Sequence, residues 1–216
     1  MIIKQSAGGL KHFTFDQIQQ LESEFILNYN ISAECLMECA GFHASQWVSS
    51  QCQKQQIYIF CGRGNNGGDG FVLARHLWFL GFNVHLVLLS EVNEYSGLSK
   101  LQLSRCLSLS IPYWIYHQFD FTSISHDSVI VDAMIGIGLS KSLNHKYLDC
   151  IQQLNTIDCL RVSLDVATGM IDDYKTHDIF IPNIILTFGT LKQVFYHYLD
   201  YDYNVFLCLI GLDCYQ

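Results

Sequence analysis

The chain has 216 residues, of which 50% are hydrophobic and 15% are charged, and its mean hydropathy is +0.20. This length predicts one domain over residues 1–216, and the apolar composition excludes a disordered chain. Twelve Lys and Arg residues against twenty Asp and Glu residues give a formal net charge of −8 without a basic run, which argues against partners such as nucleic acid or an anionic membrane.

Two helices are predicted at the start of the chain. Apolar residues recur at three- and four-residue spacing from Thr14 to about Cys52, as is typical of amphipathic helices. Thr14 and Gln17 match a capping box, and Asn30 and Ser32 can end one helix and start the next.

After these helices, short apolar runs alternate with helical stretches. The predicted strands are 57–61, 84–89, 113–116, 128–131, 160–164, 183–188 and 205–210, and the predicted helices between them are 71–80, 98–109 and about 145–154. This alternation is typical of a mostly parallel sheet with helices on both faces, so we predict an α/β fold.

No segment has the pattern of a membrane span or a secretory signal. The longest apolar runs, such as 129–134 and 205–210, fall far below the ~20 residues of a spanning helix. Residues 1–13 lack the apolar core of a signal peptide, and the nine cysteines include no C-x-x-C pair. We therefore expect a cytoplasmic protein with reduced thiols.

The segment 61–70 is rich in glycine and lies between a predicted strand and a predicted helix. Its five glycines predict that the backbone approaches another group closely or adopts positive φ, and amides at the next helix start could bind an anion. A tight turn with an Asp cap is the structural alternative. Gly62, Gly64 and Gly67 also fit the dinucleotide fingerprint, with Glu91 near its ribose-binding acid, a fit that is not specific by itself.

Two carboxylates, Asp132 and Asp165, each follow a predicted strand. Because ligands bind outside the carboxyl ends of parallel strands, we expect both to meet segment 61–70 at one crevice, together with a second glycine segment at 136–142. Asp165, at a partly buried mouth, suits general acid–base catalysis. For Asp132, capping of the next element is an equal alternative.

Asn66, Asp132 and Thr168 would bring amide, carboxylate and hydroxyl oxygens to the same crevice. This all-oxygen set suits a hard cation and lacks the soft ligands that zinc or copper prefers. Asn65 and Asp69 add further polar side chains beside it.

Five short motifs run through most of the chain. They are L-M-E-C-A-G at 36–41, G-N-N-G-G-D-G at 64–70, V-D-A-M-I-G-I-G-L-S at 131–140, D-V-A-T-G at 165–169 and T-F-G-T-L-K at 187–192. Together they resemble the NAD(P)HX epimerase family, also called the YjeF N-terminal domain, and the second motif is the most specific.

The resemblance implies a three-layer αβα, Rossmann-like fold and a homodimer. It also implies epimerisation of the R and S forms of hydrated NADH or NADPH, which carry a hydroxyl group on the nicotinamide ring, so that a separate NAD(P)HX dehydratase acting on the S form can repair the whole pool. By position, Asn66, Asp132 and Thr168 would hold a potassium ion, and Asp165 would be the catalytic acid or base. The implied substrate-binding residues are Asn65, Asn66, Gly67, Gly68, Asp69, Gly136, Ile137, Gly138, Leu139, Ser140, Lys141, Ser142 and Asp165.

The chain departs from the family pattern at three positions near the motifs. Ala167 replaces a proline, Ile137 replaces a usual threonine, and Ser142 replaces a usual proline. A catalytically impaired nucleotide-binding or dimerisation module of the same fold is therefore an alternative. An ordinary NAD-dependent oxidoreductase, based on the fingerprint at Gly62, is a further alternative that leaves the rest of the glycine segment without a role.

Overall fold

A computed structural model of the chain describes residues 2–3, 11–53, 55–139, 142–173 and 176–212. Its strands are β1 (Ile2–Ile3), β2 (His12–Phe13), β3 (Gln56–Cys61), β4 (Asn83–Leu88), β5 (Tyr113–Ile115), β6 (Val129–Ala133), β7 (Leu160–Leu164), β8 (Ile184–Phe188), β9 (Leu191–Lys192) and β10 (Asn204–Cys208). The main sheet has the order β1-β10-β8-β7-β6-β3-β4-β5, in which β1 is antiparallel to β10 and the other pairs are parallel. Strands β2 and β9 form a separate parallel pair.

Helices cover both faces of the main sheet. They are α1 (Phe15–Tyr29), α2 (Ala33–Gln51), α3 (Asn65–Phe79), α4 (Gly97–Ser108) and α5 (His145–Asn155). Ile57 and Ile59 of β3 pack with α2, α3 and α4, whereas the alternate residues Tyr58 and Phe60 pack with α5. Successive side chains of a strand point to opposite faces, so β3 is buried by a helical layer on each side. The predicted α/β fold with three αβα layers is confirmed.

The two leading helices begin and end where the sequence predicts. Oγ1 of Thr14 accepts a hydrogen bond from the backbone of Gln17 at 3.3 Å, and the Gln17 side chain accepts one from the Thr14 backbone at 2.9 Å. Asn30, at φ 55°, ends α1, and Ser32 caps α2. The capping box and the break between the helices are thus confirmed.

Three local predictions were wrong. Helix α3 begins at Asn65 rather than at residue 71, so the two asparagines and the three glycines after them form its first turns. Strand β6 extends to Ala133, which places Asp132 within the strand rather than after it. The two-residue strands β1, β2 and β9 were not predicted, because so short a segment has no periodicity to detect.

Among the described helices, none is both long and apolar enough to cross a membrane. The described cysteines are all free thiols, as the sequence predicts, but only four of the eight are buried, and Cys35 and Cys39 are exposed.

Candidate active site

Four neighbouring strands, β8, β7, β6 and β3, end at the same edge of the sheet. A cavity of about 530 Å³ lies over this edge, between the strand ends and helices α1 and α2. The sequence-predicted site residues that line it are Asn65, Asn66, Asp69, Gly136, Ile137, Gly138 and Asp165. The predicted convergence of both glycine segments and Asp165 on one crevice is therefore observed.

Four of the five glycines of segment 61–70, all except Gly64, are required by close packing rather than by positive φ. None of them has a positive φ. A Cβ on Gly67 would lie 1.9 Å from the carbonyl oxygen of Gly62, and one on Gly70 would lie 2.6 Å from the Ala133 side chain. Helix α3 can therefore start directly against β3 and β6, which places its first residues over the strand ends.

Helix α3 starts without a side-chain cap. Its N-cap residue is Gly64, which has no side chain to bond the amides of the first turn. Such amides form a natural site for an anion. Arg63, exposed at the rim of the cavity, adds a positive charge, and among the described residues it forms one ion pair, with Glu94 at 3.9 Å.

Some predicted binding residues do not line the cavity. Gly67 and Gly68 are buried against Gly62 and Met37. Leu139 packs with the apolar cluster under α5, and Ser142 is exposed outside the cavity lining. The remaining two, Ser140 and Lys141, lie outside the described residues. Glu91, expected near a ribose, is also outside the lining and caps a short 3-10 helix.

Asp132 is a fully buried carboxylate that is saturated with hydrogen bonds. The hydroxyl of Thr168 donates to it at 2.6 Å and the backbone N–H of Thr168 at 2.8 Å, while the Ser163 hydroxyl donates at 3.0 Å. Burial raises the pKa of Asp132 to about 6, and the hydrogen bonds oppose this rise. Asp132 and Thr168 are therefore brought into direct contact, but both are fully buried and neither lines the cavity, contrary to the expectation that Asp132 opens into the crevice.

Asp165 lies at the end of β7 in a left-handed backbone conformation, with φ 68°. Its Oδ1 atom lies 2.6 Å from Nζ of Lys192, whose side chain is only 1% exposed. The same ammonium donates to the carbonyl oxygen of Phe188 at 2.7 Å. A non-glycine residue with positive φ is strained, and it persists only where its surroundings fix it, which is common at active sites.

The other carboxylate oxygen of Asp165 faces the cavity. Oδ2 lies 3.3 Å from the point that a Cβ on Gly136 would occupy, and Gly136 lines the cavity. Oδ1 is already engaged by Lys192, and Oδ2 accepts no hydrogen bond from the described residues. Asp165 is thus anchored through one oxygen and presents the other to whatever enters the cavity.

Two further carboxyl groups share this cavity. Glu22 of α1 and Asp69 of α3 both line it, together with Asp165. Burial and the nearby Asp165 raise the pKa of Glu22 to about 7. Burial, followed by the charges of Asp165 and Glu22, raises the pKa of Asp69 well above its usual range, against the lowering effect of Lys192.

Sequence reasoning missed the roles of Lys192 and Glu22. Lys192 lies in the T-F-G-T-L-K motif, but nothing in a sequence shows that a lysine is buried. Glu22 lies on an amphipathic helix, where an acidic residue ordinarily indicates the solvent face. Only the packing of α1 over the strand ends turns this position toward the cavity.

A family model described as "YjeF-related protein N-terminus" matches residues 33–194. The chain belongs to this family. The match covers β3 through β9 and every site residue described above except Glu22. Helix α1 precedes the matched region.

The family contains curated relatives with two kinds of names. One named "NAD(P)H-hydrate epimerase" from Rhodopirellula baltica is 28% identical and aligns over 76% of this chain and 68% of its own length. Another with that name, from Elusimicrobium minutum, is 26% identical over 85% of this chain and 88% of its own. A "Bifunctional NAD(P)H-hydrate repair enzyme Nnr" from Archaeoglobus fulgidus is 31% identical over 69% of this chain, which spans only 31% of that protein.

A solved structure of similar fold is that of the yeast protein YNL200c. Its crystal structure superposes with a TM-score of 0.79 over 87% of this chain and 84% of the yeast chain, at 22% sequence identity. The likeness shows that the YjeF N-terminal chain described here has the same fold.

Of the three residues that the family resemblance assigns to a cation, Asn66 has an amide oxygen that is free to bind such an ion. Both polar atoms of the Asn66 amide are buried without a hydrogen-bond partner among the described residues, which is costly unless another group satisfies them. Asn66 borders Gly136, which follows the Ile135 carbonyl that accepts a hydrogen bond from Thr168. An amide oxygen, a carboxylate and a hydroxyl would suit a hard monovalent cation.

Proposed function

We propose that this chain interconverts the R and S forms of hydrated NADH and NADPH. The observation that carries the proposal is the anchored Asp165, with Oδ1 at 2.6 Å from Lys192 and Oδ2 open to the cavity. This geometry lies beside the family's G-N-N-G-G-D-G segment, in a chain whose relatives are named NAD(P)H-hydrate epimerase. Epimerisation requires a proton to move to and from oxygen at the hydroxylated ring carbon, and Asp165 is placed to move it.

The two ends of the dinucleotide would meet different parts of the site. The uncapped amides at the start of α3 and the exposed Arg63 suit the pyrophosphate. The uncharged hydrated ring would lie toward Asp165 and the other carboxyl groups. Asn65, Asn66, Asp69 and the residues 136–138 line the space between them.

We further propose that Asn66, Asp132 and Thr168 hold a potassium ion. When bound, the ion would supply a fixed positive charge that links the start of α3 to the ends of β6 and β7. The orphaned amide of Asn66 supports this assignment, because an ion would satisfy its oxygen. Asp132 would remain a structural ligand rather than a proton donor, since its oxygens already accept hydrogen bonds from Thr168 and Ser163.

Potassium chloride should raise the midpoint of thermal unfolding above that in tetramethylammonium chloride at equal ionic strength. At a concentration ten times the dissociation constant, binding stabilises the folded state by about 1.4 kcal/mol, or roughly 3–5 °C for a chain of this size. This rise of the unfolding midpoint in potassium chloride should disappear in Asn66→Ala. It should persist in Asn83→Ala, which changes an exposed asparagine at the start of β4. Equal midpoints in the two salts would rule out the ion.

The proposed epimerase function also implies an oligomeric state and a partner enzyme. A homodimer in the cytoplasm, followed by a separate NAD(P)HX dehydratase that consumes the S form, is the arrangement that we propose. The bifunctional relative supports the connection between the two steps, because its name assigns the whole repair to one protein of which this chain spans about a third.

Incubation of the purified protein with the separated R form of hydrated NADH tests the proposed function. We expect the S form to accumulate faster than in buffer alone, as measured by chromatographic separation of the two forms. Saturable binding of both forms without any gain in rate would instead favour the catalytically impaired module. Oxidation or reduction of the intact cofactor would favour an oxidoreductase.

A further inference from the structure

Glu22 lines the cavity from helix α1 rather than from the strand ends. It is a half-buried residue of α1 and lines the same cavity as Asp165, which lies at the end of β7. The two carboxyl groups thus come from different layers of the fold. A molecule between them would have one acidic group from the sheet and another from the helical layer.

The side chain of Glu22 is not used to stabilise the fold. It makes no hydrogen bond or ion pair with another described residue, whereas Glu24, two positions later, accepts a hydrogen bond from Gln20 at 2.8 Å. The nearby ammonium of Lys192 is already engaged by Asp165 and by the Phe188 carbonyl. An acidic side chain that is partly buried and unpartnered is costly unless it serves a ligand.

The charges around Glu22 favour its protonated form. Asp165 at the end of β7 and Asp69 of α3 are like charges, and Lys192 of β9 is the opposing one. Burial is the main cause that raises the pKa of Glu22 to about 7, the charge of Asp165 adds to this rise, and Lys192 opposes it. A pKa raised toward neutrality suits a group that donates a proton and takes it back.

The carboxylate of Asp165, unlike that of Glu22, is paired with a lysine. Its Oδ1 atom already contacts Nζ of Lys192 at 2.6 Å, whereas Glu22 has no such partner among the described residues. A reaction that begins with loss of the ring hydroxyl group needs a donor as well. Among the described residues, Glu22 and Asp69 are the other acidic groups that line the cavity, and Asp69 is in the segment assigned to substrate binding.

We propose that Glu22 is a second catalytic residue, which acts with Asp165 from the opposite side of the substrate ring. This inference rests on the proposed epimerase function. In one direction, Glu22 donates its proton to the hydroxyl oxygen, the C–O bond breaks with its electron pair, and water leaves. The ring nitrogen shares its lone pair with the resulting cation. A water molecule then adds from the Asp165 side, and its proton passes to the Asp165 carboxylate.

The step is balanced, because one water leaves and one is added while one proton moves from Glu22 to Asp165. The reverse direction uses the two groups in exchanged roles. Glu22 then takes up a proton from solvent and Asp165 releases one, which restores both groups to their starting protonation states. Since the two groups act on opposite faces, each addition inverts the configuration at the ring carbon.

Glu22→Gln tests the inference, with Glu24→Gln on the same helix as the matched control. We expect kcat to fall by about 100-fold or more in Glu22→Gln and to remain unchanged in Glu24→Gln. Glu22→Asp should recover part of the loss. The affinity for hydrated NADH, measured by calorimetry, should change little in any of them. Thermal unfolding of each variant checks its fold.

The pH profile adds a readout that a structural role for Glu22 would not change. In the direction in which Glu22 is the proton donor, the wild-type kcat should fall as pH rises through about 7, because Glu22 loses the proton that it must donate. This descending limb should be absent from the residual activity of Glu22→Gln. A wild-type protein that is active together with an equally active Glu22→Gln would overturn this inference alone. A wild-type protein that does not interconvert the two forms would overturn the proposed function and this inference together.

Discussion

Asp165→Asn lowers the rate of epimer interconversion by about a thousandfold, within the ~10²–10⁴-fold contribution of a general acid–base group. The amide cannot accept a proton from the added water, and it cannot form the ion pair that Lys192 makes with Oδ1 at 2.6 Å. Asparagine is the appropriate replacement because it tolerates the left-handed backbone conformation at this position, where φ is 68°. The rate is measured on the separated R and S forms, at saturating concentrations of each.

Asp158→Asn is the matched control for this change. Asp158 is exposed and precedes β7, so it lies at the opposite end of the strand that carries Asp165. We expect this variant to retain the wild-type rate. Binding of hydrated NADH by Asp165→Asn, measured by calorimetry, distinguishes a loss of chemistry from a loss of the site. Wild-type turnover by Asp165→Asn would remove Asp165 from the mechanism.

Much of the fold could be predicted from the sequence because its strands are buried on both faces and appear as short apolar runs. Strand β7 was predicted over the same residues that the structure gives it. Helix α3 was predicted six residues short, because glycine disfavours helix and the three glycines after Asn66 predicted a loop. Tertiary packing overrides this helix propensity. A Cβ on Gly67 would clash with Gly62, which explains why a glycine occupies this position in the first turn of the helix.

The site residues that lie in recognisable sequence motifs could be predicted. Those whose role depends on contact with a distant segment of the chain could not. Asp132 and Thr168 were identified as candidate site residues because they follow predicted strands. In the structure the Thr168 hydroxyl donates to Asp132 Oδ1 at 2.6 Å. Lys192 and Glu22 depend on contacts between segments that are far apart in the sequence. No periodicity or local spacing predicts that a lysine of β9 and a glutamate of α1 approach the same carboxylate.

An acidic protein that binds a dinucleotide must separate its charges. Three carboxyl groups, those of Glu22, Asp69 and Asp165, line the cavity, and they suit an uncharged hydrated ring that must gain and lose a proton. The phosphates require the opposite surroundings, which the uncapped start of α3 and the exposed Arg63 provide. The net charge of −8 is therefore compatible with an anionic substrate, because local groups rather than the overall field determine its orientation.

Lys192→Met destabilises the protein by about 3 kcal/mol in the free energy of unfolding, or roughly 6–12 °C in the unfolding midpoint. The lysine is 1% exposed and contacts both Asp165 and the Phe188 carbonyl. Its removal leaves Asp165 without a cation beside Glu22 and Asp69, and an unpaired carboxylate is costly in such surroundings. Because protonation relieves that cost, the difference from wild type should narrow as pH falls from 8 to 5. Thermal and urea unfolding at several pH values measure it.

The double variant Lys192→Met/Asp165→Asn separates stability from catalysis. Removal of the carboxylate should restore much of the stability that Lys192→Met loses, since no charge is then left unpaired, while activity stays at the low level of Asp165→Asn. Lys100→Met, which changes an exposed lysine of α4, should leave both stability and activity unchanged. If the two single losses of stability simply add in the double variant, Lys192 and Asp165 do not act as a pair. Restored stability without restored activity is the result expected of a lysine that holds the catalytic carboxylate in place.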